Sequence, residues 1–239
     1  MSTKPFFVLL DLDDTILDFR TAEHRALTCA FSELGLDYSQ PTLDRYSEIN
    51  AWYWQQLEKG VMSREEILVG RFDALFRERG VDFPGKTAQD LYENYLCQGH
   101  FFMPGAEALL EELHGKYLLY LLSNGNSRVQ AARLQSAGIS PYFEDIFVSE
   151  TMGVDKPSLA FFEACFARMA DFDPARALMV GDSLSSDILG GQRAGLRTCW
   201  YNYRGRPSDP AIQPSFTITD LAELPALLEK LAAEEYILK

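Results

Sequence analysis

Five short stretches of this chain, FFVLLDL, YLLYLLS, EDIFVS, ALMVGD and TCWYN, are apolar through their middles and stop abruptly at polar residues. A strand with one wet face alternates polar with apolar. A short apolar run that does not alternate suits a strand buried on both faces, as in a parallel sheet. Between these runs lie amphipathic patterns. Residues 105–114 place Leu109, Leu110 and Leu113 on one helical face behind Pro104, and 127–137 and 158–169 read as helices in the same way. Strand and helix thus alternate from Met103 to the C-terminus, ending in the amphipathic segment ELPALLEKLAAEEY. That alternation predicts an α/β fold with a doubly wound parallel sheet, a Rossmann-like core.

Residues 19–102 break the pattern. They contain no strand-like run and read as several helices interrupted near Gly35, Gly60 and the Pro84-Gly85 pair. The expected organisation is a core of residues 1–18 and 103–239 with an all-helical domain, 19–102, inserted after the first strand. With 239 residues and 47% hydrophobic content, the chain is long enough for one full core and a smaller module.

The formal net charge of −13 argues against a nucleic-acid polymer or an anionic membrane as partner. It does not exclude a small anionic substrate, because a local site can be positive on an acidic protein. The N-terminal apolar segment is too short and too quickly acidic for a signal peptide, and no run approaches a membrane span. Cys29, Cys97, Cys165 and Cys199 are scattered without a C-x-x-C pair. Buried thiols in a reducing cytoplasm fit this better than a disulfide framework or a zinc site. His24, His100 and His114 likewise show no ligand spacing.

The chemistry gathers where the apolar runs stop. The first run ends in Asp11 and Asp13, the second in Ser123 and Asn124, and ALMVGDSLSSD ends in Asp182 with Asp187 after it; Lys156 opens a helix in GVDKPS. Strand carboxyl ends in an open α/β sheet share one crevice, so these residues are expected to converge. Several carboxylates there repel one another unless a cation neutralises them. Oxygen ligands without nearby His or Cys suit Mg²⁺, and Mn²⁺ or Co²⁺ in vitro. Lys156 and Ser123 would then serve the remaining oxygens of a phosphate. One carboxylate is left to attack phosphorus, and the second can protonate the leaving alkoxide and deprotonate water. A calcium loop counted from Asp11 would need Gly and Glu where Ile16 and Ala22 stand, so that reading fails.

DLDDT, LLSNG, DKP and GDSLSSD resemble, in order and spacing, the four signatures of the haloacid dehalogenase-like hydrolase superfamily. The resemblance implies that Asp11 is the nucleophile and Asp13 the acid/base, with the Asp13 carbonyl also on Mg²⁺. It implies that Thr15 braces the loop, that Ser123 and Lys156 hold the phosphoryl group, and that Asp182 and Asp187 serve the metal. Asn124 and Gly125 count with the substrate-binding positions, and equally fit an ordinary turn. The inserted helices are similar to the superfamily's helical cap. Further stretches, notably YSEINAWYWQQLEKGVMSREEILVGRF, resemble bacterial house-cleaning pyrimidine 5′-nucleotidases. That implies hydrolysis of UMP, dUMP, dTMP and modified analogues by a monomer or homodimer, with Trp54, Asn50 and Arg71 as cap contacts. Asn50 and Arg71 are open to a second reading as a structural pair. Sugar phosphates or phosphoglycolate are the alternative substrates, since the core motifs do not distinguish them. Dehalogenation, or a non-enzymatic phosphoacceptor module, would leave Asp13 without a task.

Overall fold

The computed structural model describes residues 6–237; the first five and last two residues of the expected core lie outside it. Six parallel strands form one sheet: β1 (Phe7–Leu10), β2 (Leu118–Ser123), β3 (Asp145–Val148), β4 (Ala177–Gly181), β5 (Arg197–Tyr201) and β6 (Phe216–Ile218). The first four helices are α1 (Phe19–Glu33), α2 (Gln40–Glu58), α3 (Arg64–Arg79) and α4 (Gly85–Leu96). They are followed by α5 (Ala106–Leu113), α6 (Ser127–Ala137), α7 (Ser149–Met152), α8 (Leu159–Phe166), α9 (Leu189–Arg193) and α10 (Leu224–Ile237). The chain divides into two compact units. One takes in the chain through Asp18, Phe101–Ser127 and the chain from Ala137; the other takes in Phe19–His100 and Arg128–Ser136.

In the sheet unit the order is β3-β2-β1-β4-β5-β6, a doubly wound arrangement with β1 at the centre. Alternation along each strand sends residues to opposite faces. Phe7, Leu9, Tyr120, Leu122, Ala177 and Met179 join Phe161, Phe162 and Cys165 of α8 in one buried cluster. Val8, Leu10, Leu119, Leu121, Leu178 and Val180, on the other face, are buried as well. Double burial is why these runs carry no polar residue until they end. Register then sets where they end. Leu10 lies opposite Leu121 and Val180, and the Asp11 amide donates to the Val180 carbonyl at 3.0 Å. The chain direction of the crossovers reverses between β1 and β4, so their carboxyl ends flank the crevice where ligands bind in such sheets.

The chain leaves and re-enters this unit along two segments tied to each other. Asp18 N donates to Phe101 O at 2.8 Å and Met103 N to Ile16 O at 2.9 Å.

The helical unit is built around aromatic rings. Phe72, fully buried on α3, packs against Tyr46 of α2 at 4.8 Å and Tyr92 of α4 at 5.7 Å between centroids. Its breaks have local causes. Gly35, Gly60 and Gly80 take φ of 66°, 69° and 66°, the left-handed region that favours glycine. Ser63 opens α3 with a reciprocal capping box to Glu66. Residues 128–136, which the sequence reading counts with the core, group with these helices: Arg128 donates to Asn94 at 2.9 Å and Arg133 lies 5.5 Å from the Phe19 ring.

Two elements differ from expectation. A sixth strand, β6, extends the sheet beside β5, and α8 stops at Phe166 rather than near Met169.

Helix α9 approaches the sheet through a bare backbone. A side chain at Gly191 would put its Cβ 2.8 Å from Thr198 Cγ2 and 3.1 Å from Met179 Cβ. Gly191→Ala is therefore expected to cost about 1–3 kcal/mol by overpacking. Urea unfolding with a midpoint equal to the parent's would refute that account.

Candidate active site

The end of β4 explains its own sequence. A Cβ on Gly181 would overlap the carboxylate of Asp187, so glycine leaves room for that side chain to fold back. A single π-helical turn, Leu184–Ile188, carries it there, and Ser183 caps the turn by accepting from Ser186 N at 3.2 Å. Asp187 is 1% exposed; its Oδ2 accepts from Ser183 N at 3.1 Å.

Lys156 reaches the same point from the loop before α8 and is equally buried, at 1%. Its ammonium donates to Asp11 Oδ1, Asp187 Oδ1 and the Leu122 carbonyl, each at 2.7 Å. All three of its N–H donors are thereby in use. A phosphoryl oxygen meeting Lys156 would share or displace one of these partners. Thr15 sits between the two strand ends. Its hydroxyl donates to Asp11 Oδ2 at 3.1 Å and accepts from Asp182 N at 3.1 Å. Asn124 forms a reciprocal pair with the backbone of Lys156, donating to its carbonyl at 2.8 Å and accepting from its amide at 2.9 Å. Ser123 is buried at the end of β2, followed by buried Gly125; Asp13 is half-buried.

Asp11, Asp182 and Asp187 each offer one carboxylate oxygen, and the three oxygens lie within 4.8 Å of one another. The Asp13 carboxylate is not part of this group. Three carboxylates close together, with the Lys156 ammonium between Asp11 and Asp187 alone, leave an excess of negative charge, and the groups register it. Burial, then Asp187, pushes Asp11 well above the usual carboxylate range, although Lys156 opposes this. Burial, then Asp187 and Asp14, pushes Asp182 up to about 7. Burial lowers the Lys156 ammonium, but Asp11 and Asp187 more than offset that and raise it. The cluster is thus short of positive charge, and an all-oxygen donor set of this kind fits a hard divalent cation such as Mg²⁺.

Two residues absent from the sequence reading complete the cluster. Arg204 Nη2 pairs with Asp14 Oδ2 at 2.5 Å, and Arg206 Nη2 pairs with Asp182 Oδ2 at 2.9 Å. Both lie in the loop after β5. The signal available was position: RGR follows the apolar run TCWYN, at the same edge of the sheet as every other strand end.

The expected cap contacts lie in the helical unit, each with partners there. Arg71 is 3% exposed and donates to Asn50 Oδ1 at 2.6 Å and Gln89 Oε1 at 2.7 Å. Asn50 passes the connection to Glu23 Oε1 at 2.6 Å. The guanidinium also lies 5.3–5.8 Å from the rings of Tyr92, Phe72 and Tyr46. Trp54 is half-buried with Arg64 over its ring at 5.5 Å, while Trp52 is half exposed.

Residues 7–195 match the family model of the haloacid dehalogenase-like hydrolases, and the chain belongs to that family. YfnB, a HAD-hydrolase of Bacillus subtilis (strain 168), is 40% identical over 91% of this chain and 92% of its own. Its crystal structure, bound to magnesium, superposes with a TM-score of 0.90, covering 94% of this chain and 99% of that one. PynA, a pyrimidine 5′-nucleotidase of Streptococcus pneumoniae (strain ATCC BAA-255 / R6), is 36% identical over 94% of this chain and 95% of its own. YjjG, a pyrimidine 5′-nucleotidase of Escherichia coli (strain K12), is 31% identical over 94% and 98%.

Two expectations follow. The folded protein holds a proton on Asp182 up to about pH 7, whereas the unfolded chain releases it near pH 4. Stability in EDTA should therefore fall as pH rises through that window, by at most about 1.4 kcal/mol per pH unit from this group. Melting curves in EDTA at pH 5 and 7.5 test this; Mg²⁺ should restore the loss at pH 7.5, Asp182→Asn should flatten the slope, and a melting temperature that rises with pH contradicts it. In the helical unit, Arg71→Ala leaves Asn50 and Gln89 without their donor and should cost about 2–5 kcal/mol in urea unfolding, as expected for two buried acceptors left unpaired. Near-parental stability would return Arg71 to substrate recognition.

Proposed function

We propose that this protein is a Mg²⁺-dependent phosphatase acting on pyrimidine nucleoside 5′-monophosphates, including dUMP, UMP, dTMP and modified analogues. The observation carrying this is the convergence of Asp11, Asp182 and Asp187 on one point with Lys156 between two of them. The substrate class rests on the likeness to PynA and YjjG across nearly the whole chain.

Asp182, Asp187 and Asp11 would hold the metal, with the Asp13 carbonyl. Bound there, Mg²⁺ supplies the positive charge that keeps Asp11 ionised and offsets the charge of the phosphate. Asp11 attacks phosphorus through one carboxylate oxygen while Thr15 and Lys156 fix its orientation. The bond from phosphorus to the 5′-oxygen breaks, and Asp13 delivers its proton to that oxygen. Water then attacks the aspartyl-phosphate, Asp13 takes the proton, and inorganic phosphate leaves with Asp11 regenerated. Ser123 supplies a hydroxyl to the phosphoryl oxygens, and Asn124 holds the Lys156 backbone in place. Positioning and electrostatics carry the acceleration, as is general for phosphoryl transfer. The helical unit serves as the cap and contributes recognition of the base. Dehalogenation would use Asp11 but leave Asp13 and Asp182 without a task, because halide departs unprotonated and needs no metal. Among the described residues no helix is long and apolar enough to cross a membrane. The four free cysteines fit the reducing cytoplasm.

The test is phosphate release with Mg²⁺ across dUMP, dTMP, UMP, AMP, GMP, glucose 6-phosphate and phosphoglycolate. Turnover should favour the pyrimidine nucleotides, vanish in Asp11→Asn and stop in EDTA. Comparable release from sugar phosphates or phosphoglycolate would discard the nucleotide assignment and keep the catalytic one. Near-parental turnover by Asp11→Asn would discard the mechanism.

A further inference from the structure

Arg206 lies on a loop built to present it. Asn202, buried at the end of β5, donates from its amide to the Ile218 carbonyl of β6 at 2.8 Å, which anchors the start of the loop. Its side chain then closes the loop on itself, accepting from Arg206 N at 2.8 Å and donating to Arg206 O at 2.9 Å. The guanidinium sits 6.0 Å from the Trp200 ring. From there Nη2 meets Asp182 twice, at the side-chain Oδ2, 2.9 Å away, and at the main-chain carbonyl. Trp200 Nε1 donates to the same carbonyl at 2.8 Å. Asp182 is therefore fixed in side chain and backbone together, at the end of β4. A second arm of the loop, Arg204, braced by Tyr203 Oη at 2.7 Å, holds Asp14 beyond β1.

We infer that Arg206 is a positioning residue that fixes the Asp182 carboxylate for Mg²⁺ by engaging Oδ2 and the main-chain carbonyl together. This rests on the reading of Asp11, Asp182 and Asp187 as the magnesium group. The alternative is that Arg206 is merely a nearby cation. The two differ in sign. A cation beside a divalent site repels the metal, so its removal tightens binding. An outer partner that orients a ligand helps the metal, and its loss typically weakens binding about 10–100-fold.

The experiment is calorimetric titration of the whole protein with Mg²⁺ alone, without substrate, for the parent, Arg206→Ala and Arg206→Lys. Arg206→Ala should bind Mg²⁺ on the order of 10-fold or more weakly. Arg206→Lys, which keeps the charge without the planar fork, should also bind more weakly than the parent. In turnover, the Mg²⁺ concentration for half-maximal rate should rise by a similar factor while KM for the phosphate ester changes less. A merely structural role would lower the melting temperature without this selective demand for metal. If Arg206→Ala does not fold, Asn202→Ala, which frees the loop, makes the same comparison with Arg206→Lys. Mg²⁺ bound as tightly or more tightly by these variants overturns the inference and leaves the phosphatase reading intact. No Mg²⁺ binding by the parent overturns the metal reading and the inference with it.

Discussion

Mutual repulsion among Asp11, Asp182 and Asp187 is the constraint around which the sheet unit is arranged. Their oxygens lie within 4.8 Å of one another, and two of the side chains are almost wholly removed from water. Such a group costs free energy unless each charge finds a partner. The partners come from every neighbouring element. Lys156 arrives from the loop before α8, Thr15 from the loop after β1, the Ser183 amide from the turn after β4, and Arg206 from the loop after β5. The missing Cβ of Gly181 makes the approach of Asp187 possible. A group short of positive charge gains from any cation it binds, so free energy withheld from folding would be returned on metal binding.

Much of this was legible in the sequence because a parallel sheet imposes a simple rule. Runs buried on both faces must be apolar, so Asp11, Ser123 and Asp182 mark where burial by the sheet ends, and topology gathers those ends. Lys156 belonged to no strand and was readable only from its motif. Arg204 and Arg206 were marked only by position, in the RGR that follows TCWYN. Their partners are Asp14 and Asp182, 190 and 24 residues away, and nothing local requires an arginine there. β6 was missed for a different reason: three residues, FTI, carry too little pattern to signal a strand until β5 offers an edge.

In the helical unit the glycine breaks fixed the lengths of the helices but not their rotation. Which face of α2 meets which face of α3 is decided by how Phe72 packs among Tyr46, Tyr92 and Phe31. Only that packing brings Arg71 to Asn50 and Gln89, and so turns three scattered polar residues into a closed chain ending at Glu23. Asn50 and Arg71 are thus paired with each other in the structure, the second of the two readings the sequence left open for them. Trp54, the third expected cap contact, is half-buried with Arg64 over its ring.

The position of β1 has a consequence for how the protein comes into being. It is the first strand to leave the ribosome, yet its two neighbours are residues 118–121 and 177–180. The larger part of the helical unit, Phe19–His100, is synthesised before either partner, and its last segment, Arg128–Ser136, follows β2. At roughly 5–20 residues per second, Phe7–Leu10 waits many seconds with both edges and both apolar faces uncovered. An exposed apolar strand of that kind is a target for holding chaperones and for pairing with a neighbouring nascent chain. The central strand of the sheet is thus the first part of it to be made, and must be sheltered until its neighbours follow.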